Sequence, residues 1–160
     1  MDADPSVLYR RALGTFATGV TVITAENSQG PLGLTVNSFT SVSLDPPLVL
    51  WCLDEKSDRH HAFAEAPRFV INVLGAEDRQ HSERFAWGAC WLEHAELDRG
   101  QSGAPRLKGA LTHLECETRE RITLGDHLVI VGEVTAFDSR EGEGLLFFRG
   151  QYGRAGNNSV

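Results

Sequence analysis

Two long strand-like runs, Leu111 to Leu124 and Leu128 to Phe137, are joined in this chain through Gly125-Asp126. Gly-Asp is a good tight-turn pair, and so short a connection folds the two runs into one antiparallel hairpin, because a parallel crossover needs a dozen residues or more. Further strand-like segments surround it: Val20 to Ala25, the stretch from Gly33, the apolar run LVLWCL (48–53), Phe69 to Leu74 and Leu145 to Phe148. The helical patterns between them are short, one after a capping Ser6, one over Asp58 to Glu65 and a polar one over Glu77 to Ala86. Regular alternation of strand and helix, which a doubly wound sheet requires, is missing. The pattern predicts a mainly β protein, an antiparallel barrel with short peripheral helices. LVLWCL reads as a strand buried on both faces, and Trp87 to Gly103 has no period and reads as a loop or lid.

A chain of 160 residues, 41% apolar and 23% charged, fits a single domain over 1–160 with a core of its own. The tail from about 154 to 160 is polar and rich in Gly and Asn, and is expected to fray. A formal net charge of −7 argues against a nucleic-acid partner and means that an anionic ligand is held by local groups, not by the overall field. Cys52, Cys90 and Cys116 are odd in number and widely spaced, which suits reduced thiols in the cytoplasm. The opening MDADPSVLYRR lacks the apolar core of a signal peptide. No apolar stretch approaches the ~18 residues of a membrane span, so no membrane partner is expected.

The run GLTVNSFTSVSLDPP, Gly33 to Pro47, reads as strand yet carries Thr35, Asn37, Ser38, Thr40, Ser41 and Ser43 between Leu34, Val36, Phe39, Val42 and Leu44. A flat heteroaromatic ligand needs that combination, directional groups along its edge and an apolar floor beneath it. The same pattern also suits an ordinary antiparallel strand with one face in water. Lys56 and Ser57 precede the helical pattern DRHHAFAE, where free backbone N–H groups, a hydroxyl and a cation suit a phosphate. The structural alternative is a simple N-cap beside a solvated lysine. His127 follows the tight turn and so stands at a barrel rim, either facing a ligand edge or water. Phe85 and Tyr152 either pack or line a ring pocket, and Arg10 and Arg84 are cations within reach of a phosphate.

Several chemistries are missing from the sequence. There is no G-x-G-x-x-G strand-to-helix turn, no phosphate-binding Walker loop and no G-x-S-x-G elbow. His60-His61 and Cys90-x-x-x-His94 do not make a closed zinc set, so no metal site is expected.

The Gly33 to Pro47 run resembles the flavin-binding segment of the short-chain NAD(P)H:flavin oxidoreductases, the flavin reductase-like family. Gly33, Thr35, Asn37, Ser38, Ser41, Ser43, Pro46 and Pro47 stand at the places that segment uses. FATGVTVIT (16–24), FVINVL (69–74), RFA (84–86), GDH (125–127) and GQY (150–152) follow in the family's order, and the likeness spans roughly Tyr9 to Gly153. It implies an FMN-binding split β-barrel, with FMN or FAD as the flavin and NADH or NADPH as the hydride donor. By this resemblance Thr35, Val36, Asn37, Ser38, Ser41, Val42, Ser43 and Cys52 hold the flavin, and Lys56 and Ser57 hold its phosphate. His127 is the catalytic candidate beside the nicotinamide, with Gly125, Asp126, Phe85 and Tyr152 around it. The resemblance also implies a homodimer with flavin at the subunit interface and a separate flavin-dependent oxygenase that receives the reduced flavin. A non-catalytic FMN-binding electron carrier on the same barrel is the alternative; it needs no nicotinamide site, so His127 and the Phe85 pocket separate the two. A split-barrel oxidase acting on a pyridoxamine phosphate fits this acidic chain less well.

Overall fold

In chain order the computed structural model, which describes residues 4–156, runs α1 (Pro5–Leu13), β1 (Thr18–Gly19), β2 (Thr21–Asn27), β3 (Gly30–Val36), β4 (Thr40–Leu44), β5 (Pro47–Asp54), α2 (His60–Ala64) and β6 (Arg68–Val73). A 3-10 turn (Ala76–Asp78) leads into α3 (Arg79–Trp87), followed by β7 (Leu97–Arg99), β8 (Pro105–Leu107), β9 (Thr112–Leu124), β10 (His127–Ser139), β11 (Gly144–Phe148) and β12 (Gln151–Ala155). Seven strands form the main sheet in the order β3-β2-β6-β9-β10-β5-β4; β1, β11 and β12 form a second sheet, and β7 pairs with β8. Every pairing is antiparallel.

The hairpin expected at Gly125-Asp126 is there, with Leu124 opposite His127 and Gly125 at φ 60°. Glycine at the first turn position takes that left-handed backbone without a Cβ penalty.

The expected continuous strand from Gly33 is broken. β3 and β4 lie at opposite edges of the seven-stranded sheet, yet only Asn37, Ser38 and Phe39 join them. Such a link reaches about 14 Å between flanking Cα atoms, whereas seven flat strands would hold the edges about 29 Å apart. The sheet therefore curls until its edges approach, and residues 37–39 cross the seam.

Inside the curl, Trp51 packs edge-on against Phe63 at 5.7 Å and Phe69 at 5.9 Å, and all three are essentially buried. The two-faced burial expected of LVLWCL is not found. Val49, Trp51 and Leu53 enter this core, while Leu48, Leu50 and Cys52 are half-buried on the other face, because β5 lies next to the edge strand. A second core, with Val22, Leu74, Phe85 and Leu107, fills the space beneath α3.

Three local expectations change. Asp4 caps α1, its Oδ1 accepting the Ser6 N–H at 2.9 Å, since Pro5 takes the first helical position. The Trp87 to Gly103 stretch holds β7 and a bridge from Trp91 to Leu32. Arg154 and Ala155, at the start of the tail expected to fray, pair with Leu145 and Gly144, and 157–160 lie outside the described residues. Among the described residues no helix is long and apolar enough to cross a membrane.

Candidate functional site at the seam

The break after β3 creates the site. Where β4 stops pairing with β5, at Thr40 opposite Leu50, the Ser38 hydroxyl continues the ladder as a side chain. Its oxygen accepts the Cys52 N–H at 2.9 Å and its proton reaches the Cys52 carbonyl at 3.3 Å. Thr35 donates to the Ser82 carbonyl on α3 at 2.7 Å. Both hydroxyls expected to meet a ligand thus hold the wall together. The donors left over are different: among the described residues, the backbone N–H groups of Asn37, Ser38 and Phe39 donate to no protein acceptor, and the Asn37 carboxamide has no partner.

Two cavities adjoin along this wall, sharing Thr35, Val36 and Asn37. The smaller, about 240 Å³, lies towards Ser38, Cys52, Asp54, Ser57 and His127. The larger, about 820 Å³, lies towards α3 and β12, with Arg84, Trp87 and Tyr152 among its lining. Burial raises the Cys52 thiol against a smaller opposing effect of the Ser38 hydroxyl, so a neutral thiol faces the smaller cavity.

His127 opens β10 directly across from Asp54 of β5. Its Nδ1 donates to the Asp126 carboxylate at 2.7 Å, which leaves Nε2 for a ligand. The His127 hydrogen bond holds the Asp126 carboxyl below its ordinary value. Ser57 lines the same cavity, but no long helix starts there: α2 has five residues, and the Ser57 hydroxyl accepts the Arg59 N–H at 3.2 Å within a turn. Lys56 is exposed on that turn, its N–H bonded to Asp54 Oδ1 at 2.8 Å, and its side chain lines neither cavity. Asp54 is a further wall residue of the smaller cavity.

Phe85 is a correction. It is fully buried and cannot present a face to a ligand. A Cβ on Gly33 would meet its Cδ1 at 2.7 Å, so glycine is what lets α3 lie flat against β3 with the ring between them. Tyr152 lines the larger cavity, its hydroxyl 2.7 Å from Ser82 Oγ and its ring under the Arg79 guanidinium at 5.0 Å. Arg84 is committed to the Glu96 carboxylate, one bond being 2.9 Å. In a single chain Ser41, Val42 and Ser43 lie on the edge strand β4, Val42 half exposed, and line neither cavity. The jump across the seam separates them from Thr35–Ser38. Among the described residues no three His, Cys, Asp or Glu side chains gather to hold a metal.

Sequence reasoning missed Arg59. It is buried, and its guanidinium donates to the carbonyls of Gly33 (3.3 Å), Gly88 (2.6 Å) and Phe85. Two of these carbonyls belong to the C-terminal end of α3, where a helix leaves such groups without partners. A cation there also suits the helix dipole.

The flavin reductase like domain family matches residues 13–156. The chain belongs to the flavin reductase family. It is similar to "FMN reductase (NADH) SmoA" of Agrobacterium fabrum, 46% identical over 146 residues that cover 91% of this chain and 84% of that protein. It is 44% identical to a "probable flavin reductase" of Rhizobium meliloti, a longer protein of which it covers 48%. Among solved structures it resembles the NADH:FAD oxidoreductase of Streptomyces globisporus in complex with NAD and FAD fragments, with a TM-score of 0.90, 37% identity and coverage of 100% of this chain and 99% of that one.

The residues of the candidate site at the seam fit a flavin. The free N–H groups of 37–39 and the Asn37 carboxamide offer edge donors and an acceptor, and the two cavities lie near the size range of small-molecule sites.

Proposed function

We infer that this flavin reductase uses NADH or NADPH to reduce FMN or FAD and supplies the reduced flavin to a flavin-dependent monooxygenase. One observation carries the reading: two cavities adjoin along a single wall, Thr35–Asn37, and so give a donor and an acceptor room to meet there, ring face to ring face. An electron carrier needs only one. Flavin, when bound, supplies the hydride-accepting ring. The chain's own residues orient the two partners; hydride transfer needs no protein acid or base, so positioning is the main contribution. Asn37 and the free amides beside it hold the flavin edge, Ser57 faces its phosphate, and His127, fixed through Nδ1 by Asp126, offers Nε2 to the nicotinamide carboxamide. The rim is open, with the His127 side chain 41% and Trp87 90% exposed, which suits a flavin that comes and goes.

On the same reading the curled sheet is a split β-barrel whose split is the seam at 37–39, and the single domain is a homodimer. Tyr9, Phe16, Leu44 and Phe137 are 66–94% exposed in one chain. A second copy covering them would bring the edge strand with Ser41, Val42 and Ser43 to the flavin. Sedimentation equilibrium is expected to give twice the chain mass; a single-chain mass overturns the dimer. Three free thiols support a cytoplasmic setting.

The test is NADH and NADPH oxidation by flavin-stripped protein with FMN or FAD added, followed at the nicotinamide band. Turnover that depends on added flavin is the expected result, and tight flavin binding without turnover would favour the carrier. His127→Ala is expected to raise the KM for the nicotinamide substrate about tenfold with flavin affinity unchanged. An unchanged KM removes His127 from the site.

A further inference from the structure

The reaction as described makes no use of the arginines around a third depression. It measures about 500 Å³ and lies between the end of α1 and the β11–β12 turn, lined by Arg10, Arg11, Gly14, Thr15, Arg149 and Gly150. Gly150 also lines the larger cavity of the flavin site, so the depression continues from it.

Among the described residues, all the other arginines donate to a protein oxygen. Arg10, Arg11 and Arg149, gathered in one depression of a chain with net charge −7, have no such partner. Arg10 and Arg11 sit in the last turn of α1, where the helix dipole favours cations. Arg149 has no such reason to be there. It occupies the β11–β12 turn at φ 50°, the one non-glycine residue with positive φ among those described. That turn position ordinarily takes Asn, Asp or Gly. The strained backbone is held by its N–H, which bonds the Gly14 carbonyl at 2.9 Å and so clamps the turn against the end of α1. Asp4 lies near enough to Arg10 to feel its charge, but among the described residues no carboxylate pairs directly with any of the three arginines that line this depression, so their mutual repulsion is one that an anion relieves. Guanidinium forks pair bidentately with phosphate oxygens.

We propose that this depression is an anion subsite that takes the pyrophosphate of a dinucleotide whose ring end lies in the adjoining cavity. The proposal rests on the flavin reductase reading of that cavity. The same phosphoanhydride chemistry is offered by FAD and by the nicotinamide dinucleotide, and neither FMN nor reduced nicotinamide mononucleotide carries it.

The experiment uses the full chain and two variants, Arg149→Gly, which suits the left-handed turn and so preserves the fold, and the double change Arg10→Gln with Arg11→Gln. KM and kcat are measured with FAD against FMN and with NADH against reduced nicotinamide mononucleotide. The expected result is a roughly tenfold rise in KM for one dinucleotide, with kcat and the matching mononucleotide unchanged. A rise for FAD assigns the subsite to the flavin, and a rise for NADH assigns it to the hydride donor. Equal changes for dinucleotide and mononucleotide, or no change, overturn the proposal. A shift in sedimentation mass without that selectivity assigns the arginines to a subunit contact and likewise overturns it. Calorimetry with inorganic pyrophosphate keeps the test independent of turnover. Binding to the unaltered chain that both variants lose supports the subsite even where no flavin is reduced, and absence of binding overturns it.

Discussion

Arg59→Met is expected to lower stability by about 3–5 kcal/mol, and the melting temperature by roughly 6–20 °C. The side chain is buried; the exposed Asp58 carboxylate lies 3.6 Å from its Nε, and inside the protein its charge is met by the carbonyls of Gly33, Phe85 and Gly88. Methionine fills the volume and supplies no donor, so those oxygens lose their partner inside the protein, each at a cost of about 1–3 kcal/mol. Two of the three close α3, and Gly88 with Trp87 lines the larger cavity, so the KM for the substrate that occupies that cavity should rise as well. Arg59→Lys should recover only part of the stability, because one ammonium cannot reproduce the planar fork. Thermal melts followed by circular dichroism decide the matter: a melting temperature within about 2 °C of the unaltered protein would remove Arg59 as the clamp.

The second large effect is at Glu115. Its buried carboxylate accepts from the Gln101 N–H at 3.1 Å, the Ser102 N–H at 3.0 Å and the Ser102 hydroxyl at 2.7 Å, and ties the β7–β8 hairpin to β9. Burial alone would raise this carboxyl; the hydrogen bonds from Ser102 and Gln101 outweigh it and hold it below its ordinary 4.5. The folded state therefore binds the Glu115 proton less readily than the unfolded chain does. The stabilisation is complete above about pH 4.5 and is lost as pH falls further. Glu96 moves in the same direction: burial opposes its charge, and the Arg84 guanidinium prevails. Asp138 does too, held down first by the His113 hydrogen bond. Glu115→Leu should cost about 2–4 kcal/mol at neutral pH. Glu115→Gln, which keeps the volume, should cost less, and its deficit should shrink as the pH approaches about 4. Urea unfolding at the two pH values measures this; a deficit that stays constant with pH would show that the charge of Glu115 is not what holds the loop.

The parts of the molecule legible in the sequence are those whose cause is local. Gly125-Asp126 between two alternating runs specifies a hairpin from turn chemistry alone, and with it His127 at a rim next to Asp126. The absence of strand–helix alternation points to antiparallel pairing before any partner is known. The cluster Thr35–Ser38 marks the candidate site because few strands concentrate so many short polar groups. Its use could not be read from their identity. Thr35 and Ser38 spend their hydroxyls on Ser82 and Cys52, and the free groups are backbone amides, which every residue carries.

Tertiary structure decided everything that depends on which segments become neighbours. The sheet curls because β3 and β4 fall at opposite edges while three residues join them, and this opens the wall at Asn37 and parts Ser41–Ser43 from Thr35. Phe85 is buried because Gly33, distant in sequence, has no Cβ to hold it off. Arg59 has no sequence signature, since its partners are carbonyl oxygens identical in every residue, brought together only when α2, α3 and β3 meet. Alternation, turn type and cap are properties of a few consecutive residues and survive in the sequence. Enclosure, hydrogen-bond partnership and the joining of two cavities are properties of long-range packing and exist only once the chain has folded.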